Sequence, residues 1–98
     1  MYGTVARIRV KPGMDDKLRQ LSSEQDAAGW MPGFVFEHIY QMDANRNEYM
    51  MVVAFESREA YLANANSPEQ HARYEAFRAL LAAEPEWHDG EIVHSFPS

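Results

Sequence analysis

Two polar side chains near a Ser-Pro step could do chemistry at neutral pH. His71 lies just after Ser67-Pro68 and Asn64 lies just before it. An imidazole titrates near neutrality, so His71 could act as a general base toward a phenolic or enolic hydroxyl. The Asn64 amide could hold a substrate oxygen or an activated oxygen species. Both also have structural explanations, because His71 could be a solvent-side residue of a first helical turn and asparagine favours helix ends.

A second imidazole belongs to an aromatic strand pattern. His38 alternates with Phe34, Phe36 and Tyr40, so these side chains are predicted to share one face of a strand. An aromatic pocket with one imidazole would suit a flat ligand, and we predict that His38 and Phe36 contact it. A core histidine bonded to backbone, or one facing a second subunit, explains the same pattern.

Large aromatic residues supply further candidate ligand contacts. Trp30 and Trp87 flank turns, and Tyr74 belongs to the apolar stripe of a predicted helix. We predict that Trp30 and Tyr74 contact a ligand. The alternative is that the tryptophans only close the rim of the core, since large aromatics often do so in small domains.

Other site chemistries have little support in the sequence. The four histidines include no pair one helical turn apart, and there is no cysteine, so no metal site is predicted. Neither a glycine-rich phosphate loop nor a Ser-His-Asp set can be recognised.

Composition limits the partners. Nine basic and fifteen acidic residues give a net charge of −6, which disfavours nucleic acid and anionic membrane surfaces. The first residues already follow a strand pattern rather than that of a leader, and no apolar run is long enough to cross a bilayer. We therefore expect a cytoplasmic protein that binds neither nucleic acid nor membranes.

Hydrophobic periodicity predicts the elements that position these residues. Acidic Asp15 and Asp16 open a first helix that ends at Gly29, and a helix pair follows Phe55. Ser67 is predicted to cap the second helix of the pair, with the Gln70 side chain completing a capping box. The predicted strands cover residues 5–10, 34–42, 48–55 and 91–96.

This order predicts one α+β domain over residues 1–98. Two right-handed crossovers with a hairpin between them give a ferredoxin-like βαββαβ sandwich with a split second helix and a four-stranded antiparallel sheet. The third strand is apolar on both faces, and Val35 and Ile39 are assigned to the face without helices. A second copy of the sheet would cover that face, so a homodimer is predicted. Arg7 and Arg9 are assigned to interface ion pairs with Glu37 or Glu91.

Three motifs resemble the antibiotic biosynthesis monooxygenase family of dimeric α/β barrels. They are the Pro32-Gly33-Phe34 turn, the FESxxAY run over residues 55–61, and Ser67-Pro68 followed by Tyr74. The resemblance implies a homodimer that forms one barrel through the open sheet faces, with a small-molecule pocket between sheet and helices. The family includes cofactor-free oxygenases of quinol-like aromatics, haem-degrading enzymes, isomerases of small phosphorylated signals and members without an assigned activity.

The reactive positions of the family are largely changed here. Haem-degrading relatives place asparagine, tryptophan and an iron-binding histidine where this sequence has Ala6, Asn64 and about Arg73. Relatives acting on small substrates place histidines where Asn64 and Glu69 stand, while His71 matches a further histidine of some relatives. The resemblance therefore argues against haem degradation and leaves His71 as the candidate base.

The sequence thus favours a small-molecule-binding protein. If the protein is an enzyme, the leading expectation is a monooxygenase that oxidises a quinol-like aromatic without a cofactor. In that function His71 would be the base, while Asn64 and Trp30 would position the substrate. The alternative is a non-catalytic ligand-binding or assembly module of the same fold.

Overall fold

A computed structural model describes residues 1–97. Four strands and three helices follow one another in the order β1, α1, β2, β3, α2, α3, β4. Their bounds are Tyr2–Arg9 (β1), Asp15–Ala28 (α1), Phe34–Gln41 (β2), Glu48–Phe55 (β3), Arg58–Ala65 (α2), Pro68–Arg78 (α3) and Glu86–Glu91 (β4).

The strands form one antiparallel sheet in the order β2-β3-β1-β4. The hairpin partners β2 and β3 are neighbours, β1 lies beside β3, and β4 forms the other edge of the sheet beside β1. Helices pack on one face of the sheet only. The predicted ferredoxin-like α+β fold is confirmed.

The core lies between that face and the helices. One cluster gathers around Ile8, Leu18 and Tyr49, and a second gathers around Phe55 with Met51. On β3 the residues Tyr49, Met51, Val53 and Phe55 are all buried, because their side chains alternate onto the helix-covered face. The site described below lies beside the second cluster.

The predicted orientation of β2 is wrong. Glu37 pairs with Val53 and Ile39 with Met51, so both lie on the helix-covered face, whereas His38 pairs with Val52 on the open face. Alternation shows which residues share a face, but a register shift of one residue exchanges the two faces. A bulge between Phe34 and Phe36 also separates these two residues, so Phe34 packs in the core and Phe36 does not.

The last strand lies earlier in the chain than predicted. Residues Glu86–Glu91 pair with β1, whereas we expected a turn there and a strand over 91–96. That prediction followed the apolar residues Ile92, Val93 and Phe96. Tyr2 is already opposite Glu91, and the final ladder bond joins the Ile92 N–H to the Met1 carbonyl. The observed register places Trp87 opposite Ala6 and Glu86 opposite Arg7, so pairing with β1 selects this segment over the more apolar one that follows it.

Within one chain the arginines of β1 lie beside Glu48 rather than Glu37 or Glu91. Arg7 Nε lies 2.6 Å from Glu48 Oε1, and Arg9 Nε lies 3.9 Å from Glu48 Oε2. Glu37 cannot serve as their partner within the chain, because it lies on the other face of the sheet.

Ser67 joins α2 to α3. Its Oγ accepts from the Gln70 N–H at 3.1 Å, as predicted, and its hydroxyl donates to the Asn64 carbonyl at 2.8 Å. The Gln70 side chain does not complete a capping box, since its Oε1 has no hydrogen-bond partner among the described residues. That amide lies at the cavity described below instead.

The helices are short. The longest, α1, has 14 residues, and no helix within residues 1–97 is long and apolar enough to cross a bilayer.

Candidate functional site

A cavity of about 300 Å³ lies between the helix-covered face of the sheet and the helices. Its floor is formed by residues from all four strands, and its sides by α1, α2 and α3. Most of its surface is apolar, which is usual for a site that binds small organic molecules. Six aromatic residues line it: Trp30, Phe55, Tyr61, Tyr74, Phe77 and Trp87.

Trp30 is a fixed wall. Its ring stacks on Phe34 with centroids 4.2 Å apart and planes 10° from parallel. Its indole N–H donates to Asp26 at 3.2 Å, and the Arg73 guanidinium lies 5.4 Å from the ring centroid. Arg73 also donates to the Gly29 carbonyl at 2.6 Å. These contacts tie the end of α1 to α3 and hold the indole at the cavity.

The two tyrosine hydroxyls at the cavity already have partners. Tyr61 donates to Asp89 Oδ1 at 2.8 Å, and Tyr74 donates to Glu84 Oε2 at 3.0 Å. Burial first, and then these hydrogen bonds to carboxylates, raise the pKa of both phenols. Both side chains therefore remain protonated at neutral pH and serve as aromatic walls.

Other polar atoms at the cavity lack partners. Within residues 1–97, the buried side-chain atoms without a hydrogen bond include Thr4 Oγ1, Asn64 Oδ1 and Gln70 Oε1, and all three residues line the cavity. Asn64 is only 6% exposed. Buried polar atoms are nearly always paired, so a cluster of unpaired ones around a cavity indicates a place for a polar ligand. The two amide oxygens would accept from hydroxyl groups.

Glu37 is a cavity residue that the sequence analysis missed. It points from β2 into the apolar cavity, and burial first, then the negative charge of Asp26, raise its pKa to about 7, while Arg73 opposes the shift. The sequence did carry a signal, because Glu37 is the one acidic residue of β2 and stands directly after Phe36. The alternation pattern assigns Glu37 to the open face, where an acidic residue needs no explanation.

The structure brings four of the six predicted site residues together. Four of them line the cavity: Trp30, Asn64, His71 and Tyr74. The other two, Phe36 and His38, lie on the open face of the sheet, away from the cavity. Phe36 and His38 stack on each other there, with centroids 5.0 Å apart.

His71 belongs to the rim of the cavity rather than its interior. Its side chain is 74% exposed, and its Nε2 lies 3.0 Å from Glu75 Oε1 on the same helix. An imidazole in that position is in contact with solvent.

The acidic and histidine side chains do not gather into a metal site. Among residues 1–97, no group of three or more is placed to hold a metal ion.

Comparison with known proteins shows which family and which solved structures this chain is similar to. A family profile described as antibiotic biosynthesis monooxygenase matches residues 1–76. No curated protein matches the chain. Among solved structures, SnoaB, a cofactor-independent oxygenase from Streptomyces nogalater, has a TM-score of 0.83 at 18% identity, covering 99% of this chain and 97% of its own.

Two further structures are assigned to antibiotic biosynthesis monooxygenases. One, from Chloroflexus aurantiacus, has a TM-score of 0.71 at 24% identity and covers 96% of both chains. The other, from Deinococcus radiodurans, has a TM-score of 0.80 at 12% identity, covering 100% of this chain and 98% of its own. Identities this low show a shared fold, while the profile match extends over most of the chain. The chain therefore belongs to the antibiotic biosynthesis monooxygenase family.

Proposed function

We propose that this protein is a cofactor-free monooxygenase that binds a small, quinol-like aromatic in the cavity between sheet and helices. The observation that carries the proposal is an aromatic-walled cavity in which Asn64 and Gln70 present unpaired amide oxygens. A flat ring would pack against Trp30 and Tyr74, and its hydroxyl groups would donate to those oxygens. Family membership and the likeness to the S. nogalater oxygenase support the reaction class.

The size of the cavity favours a small ligand. Its volume of about 300 Å³ is at the lower end of the range for small-molecule sites. A one-ring or two-ring aromatic is the expected substrate.

A dihydroxyaromatic with a free ring C–H can supply all the electrons that O₂ requires. One oxygen atom bonds to the ring carbon, the other leaves as water, and the product is a hydroxyquinone. The two hydroxyls and the ring carbon together give up three hydrogens. Two of these hydrogens end in the water molecule, and the third ends on the new hydroxyl group of the product. The substrate itself is the reductant, so the balance needs no further cofactor.

The reaction begins with loss of a hydroxyl proton. The phenolate then transfers an electron to O₂, and the resulting radical pair forms the new C–O bond before the O–O bond breaks. In this scheme Asn64 holds a substrate oxygen, while Trp30 and Tyr74 orient the ring. His71, which the sequence suggests as the proton acceptor, lies at the rim of the cavity.

We also propose a homodimer that forms through the open sheet face. In the single chain this face leaves Tyr40 exposed and Val5 41% exposed, with Phe36, Met50 and Val52 only half-buried. Covering such a face stabilises a small domain by about 25 cal/mol for each Å² of apolar surface buried. Phe36 and His38 would then lie at the subunit interface.

A non-catalytic ligand-binding module is the alternative. It is favoured by Asn64 and Glu69, which stand where relatives acting on small substrates carry histidines. The cavity would then hold the same class of ligand without turnover.

Oxygen uptake separates the two functions. Wild type is assayed with a panel of dihydroxyaromatics, including 1,4-dihydroxynaphthalene, with correction for spontaneous oxidation, and binding is followed by tryptophan fluorescence. The oxygenase should consume one O₂ per substrate and form a hydroxyquinone. Binding without oxygen uptake would establish the module, and absence of both would contradict the ligand site.

A matched pair of variants tests whether this cavity is the site. Asn64→Leu removes the unpaired acceptor and should raise KM at least tenfold, because the substrate hydroxyl loses its partner. Asn66→Leu makes the same change at an exposed position two residues away and should leave KM within about twofold. Equal effects of the two changes would place binding elsewhere.

A further inference from the structure

Glu37 carries a half-buried carboxyl group at the cavity. It faces the helices from β2, opposite Val53, and it makes no hydrogen bond or ion pair with another side chain within residues 1–97. Buried carboxylates are normally paired, because removing a charge from water is costly. An unpaired carboxyl that faces a ligand cavity is therefore available to a ligand.

The charged groups around Glu37 come from two helices. The negative charge of Asp26 on α1 raises the pKa of Glu37, and the positive charge of Arg73 on α3 lowers it. His71 on α3 lines the same cavity. The Arg73 guanidinium donates to Gly29 and lies over Trp30, which explains why it does not pair directly with Glu37.

We propose that Glu37 is the catalytic base of the oxygenase, its carboxylate taking the proton from a hydroxyl of the bound dihydroxyaromatic. This inference rests on the proposed function and deepens it. The substrate O–H bond breaks, the proton moves to a Glu37 carboxylate oxygen, and the electron pair stays on the phenolate that reacts with O₂. Glu37 later returns the proton to the oxygen that leaves as water.

Its protonation equilibrium suits this role. With a pKa of about 7, Glu37 is partly ionised at neutral pH, and it is a stronger base than an ordinary carboxylate. His71 is less suitable because its side chain is largely in solvent and its Nε2 contacts Glu75. A base inside the cavity can also transfer the proton without exposing the phenolate to water.

Three substitutions compare the candidate bases in the full-length protein. Glu37→Gln keeps the shape and removes the base, so kcat with the best panel substrate should fall about 100-fold or more. Glu59→Gln makes the same change on the exposed side of α2 and should leave kcat unchanged. His71→Gln should cost less than Glu37→Gln. If Glu37→Gln keeps more than a third of wild-type kcat, or if His71→Gln loses more, the inference is wrong.

The pH profile provides a readout that a structural role would not change. In wild type kcat/KM should rise with pH to a plateau, with a midpoint near the Glu37 pKa of about 7, because the base must be ionised. Asp26→Asn removes the negative charge yet retains an oxygen that can accept from the Trp30 N–H, so the midpoint should shift to lower pH. A midpoint that does not move, or that moves upward, would contradict the role of Glu37.

A binding experiment separates this inference from the proposed function. The probe is 4-nitrocatechol at pH 8, where its first hydroxyl and Glu37 are both largely ionised before binding. If Glu37 and the bound hydroxyl share one proton, wild type should take up about one proton from the buffer when it binds the probe, measured by calorimetry in buffers of different ionisation enthalpy. Glu37→Gln should bind the same anion without proton uptake. Proton uptake by wild type without oxygen uptake in the panel assay would retain Glu37 as the proton acceptor and reject only the oxygenase. Equal proton uptake by both proteins, or no binding by wild type, would overturn the inference about Glu37.

Discussion

The chemistry available to this chain depends on a few side chains whose polar atoms have no protein partner. Tyr61 and Tyr74 donate to carboxylates, whereas Asn64, Gln70 and Glu37 keep free oxygens at one cavity. These free oxygens can accept hydrogen bonds, so they favour a ligand with hydroxyl donors. This preference follows from the local geometry and does not depend on whether the ligand is oxidised.

Glu37 should make the stability of the protein depend on pH. Its folded pKa of about 7 is above the ordinary value of 4.5, so folding favours the protonated form. The contribution to stability is complete below about pH 4.5 and is lost as pH rises through 7. At pH 8 the ionised group costs up to about 3 kcal/mol relative to acidic pH.

Denaturant unfolding at several pH values checks this cost. Glu37→Gln, which cannot ionise, should be more stable than wild type at pH 8, and the difference should largely disappear at pH 5. Glu59→Gln, at an exposed site, is the control and should show no such trend. A constant difference between pH 5 and pH 8 would mean that Glu37 titrates as an ordinary carboxyl.

At the scale of the elements, Ser67 determines how α2 and α3 meet. It caps α3 through the Gln70 N–H and also donates to the Asn64 carbonyl, so one side chain bonds to both helices. Ser57 performs only the first task, since its Oγ caps α2 by accepting from the Ala60 N–H at 3.1 Å. The Ser67 junction therefore also fixes the residue that carries the unpaired amide at the cavity.

The two serine caps form a matched comparison. Ser57→Ala should lower the free energy of unfolding by about 1 kcal/mol, the usual value for a helix cap. Ser67→Ala should cost about 2 kcal/mol, because it also loses the hydrogen bond to Asn64. Thermal unfolding should show a decrease in Tm of about 4–8 °C per kcal/mol. Equal losses would show that the bond to Asn64 contributes no stability.

At the scale of the whole molecule, the sheet is covered on one side only. The helices bury one face, while the other presents Val5, Phe36, Tyr40 and Val52 together with the Arg7–Glu48 ion pair. An apolar centre with charged groups beside it is the usual composition of a subunit interface. The proposed homodimer would place these residues between two sheets.

Light scattering at micromolar concentration tests the homodimer. Wild type should give twice the mass of one chain, and Val5→Glu should give the monomer mass, because a carboxylate would be buried in the interface. Leu62→Glu is the control, since Leu62 is also 41% exposed but lies on α2 rather than on the open face. A wild-type monomer would contradict the proposal, and so would a dimer that persists in Val5→Glu.

The sequence by itself determined the fold and much of the site. Alternating apolar residues and the Ser67-Pro68 cap are local signals, and local physics was enough to order the elements. The same reasoning selected Trp30, Asn64, His71 and Tyr74, because helix and turn positions constrain where a side chain can point. These four residues all line the cavity.

The tertiary structure decided which face of β2 the helices cover. Alternation is symmetric between the two faces, and only pairing with β3, with its bulge after Phe34, places Glu37 inside and His38 outside. Pairing with β1 also places the last strand at Glu86–Glu91 rather than over residues 91–96, because hydrogen bonding to a neighbouring strand and not apolar character defines a strand. The sequence points to His71 as the base because of its residue type. The tertiary structure points instead to Glu37, because its carboxyl group faces the cavity.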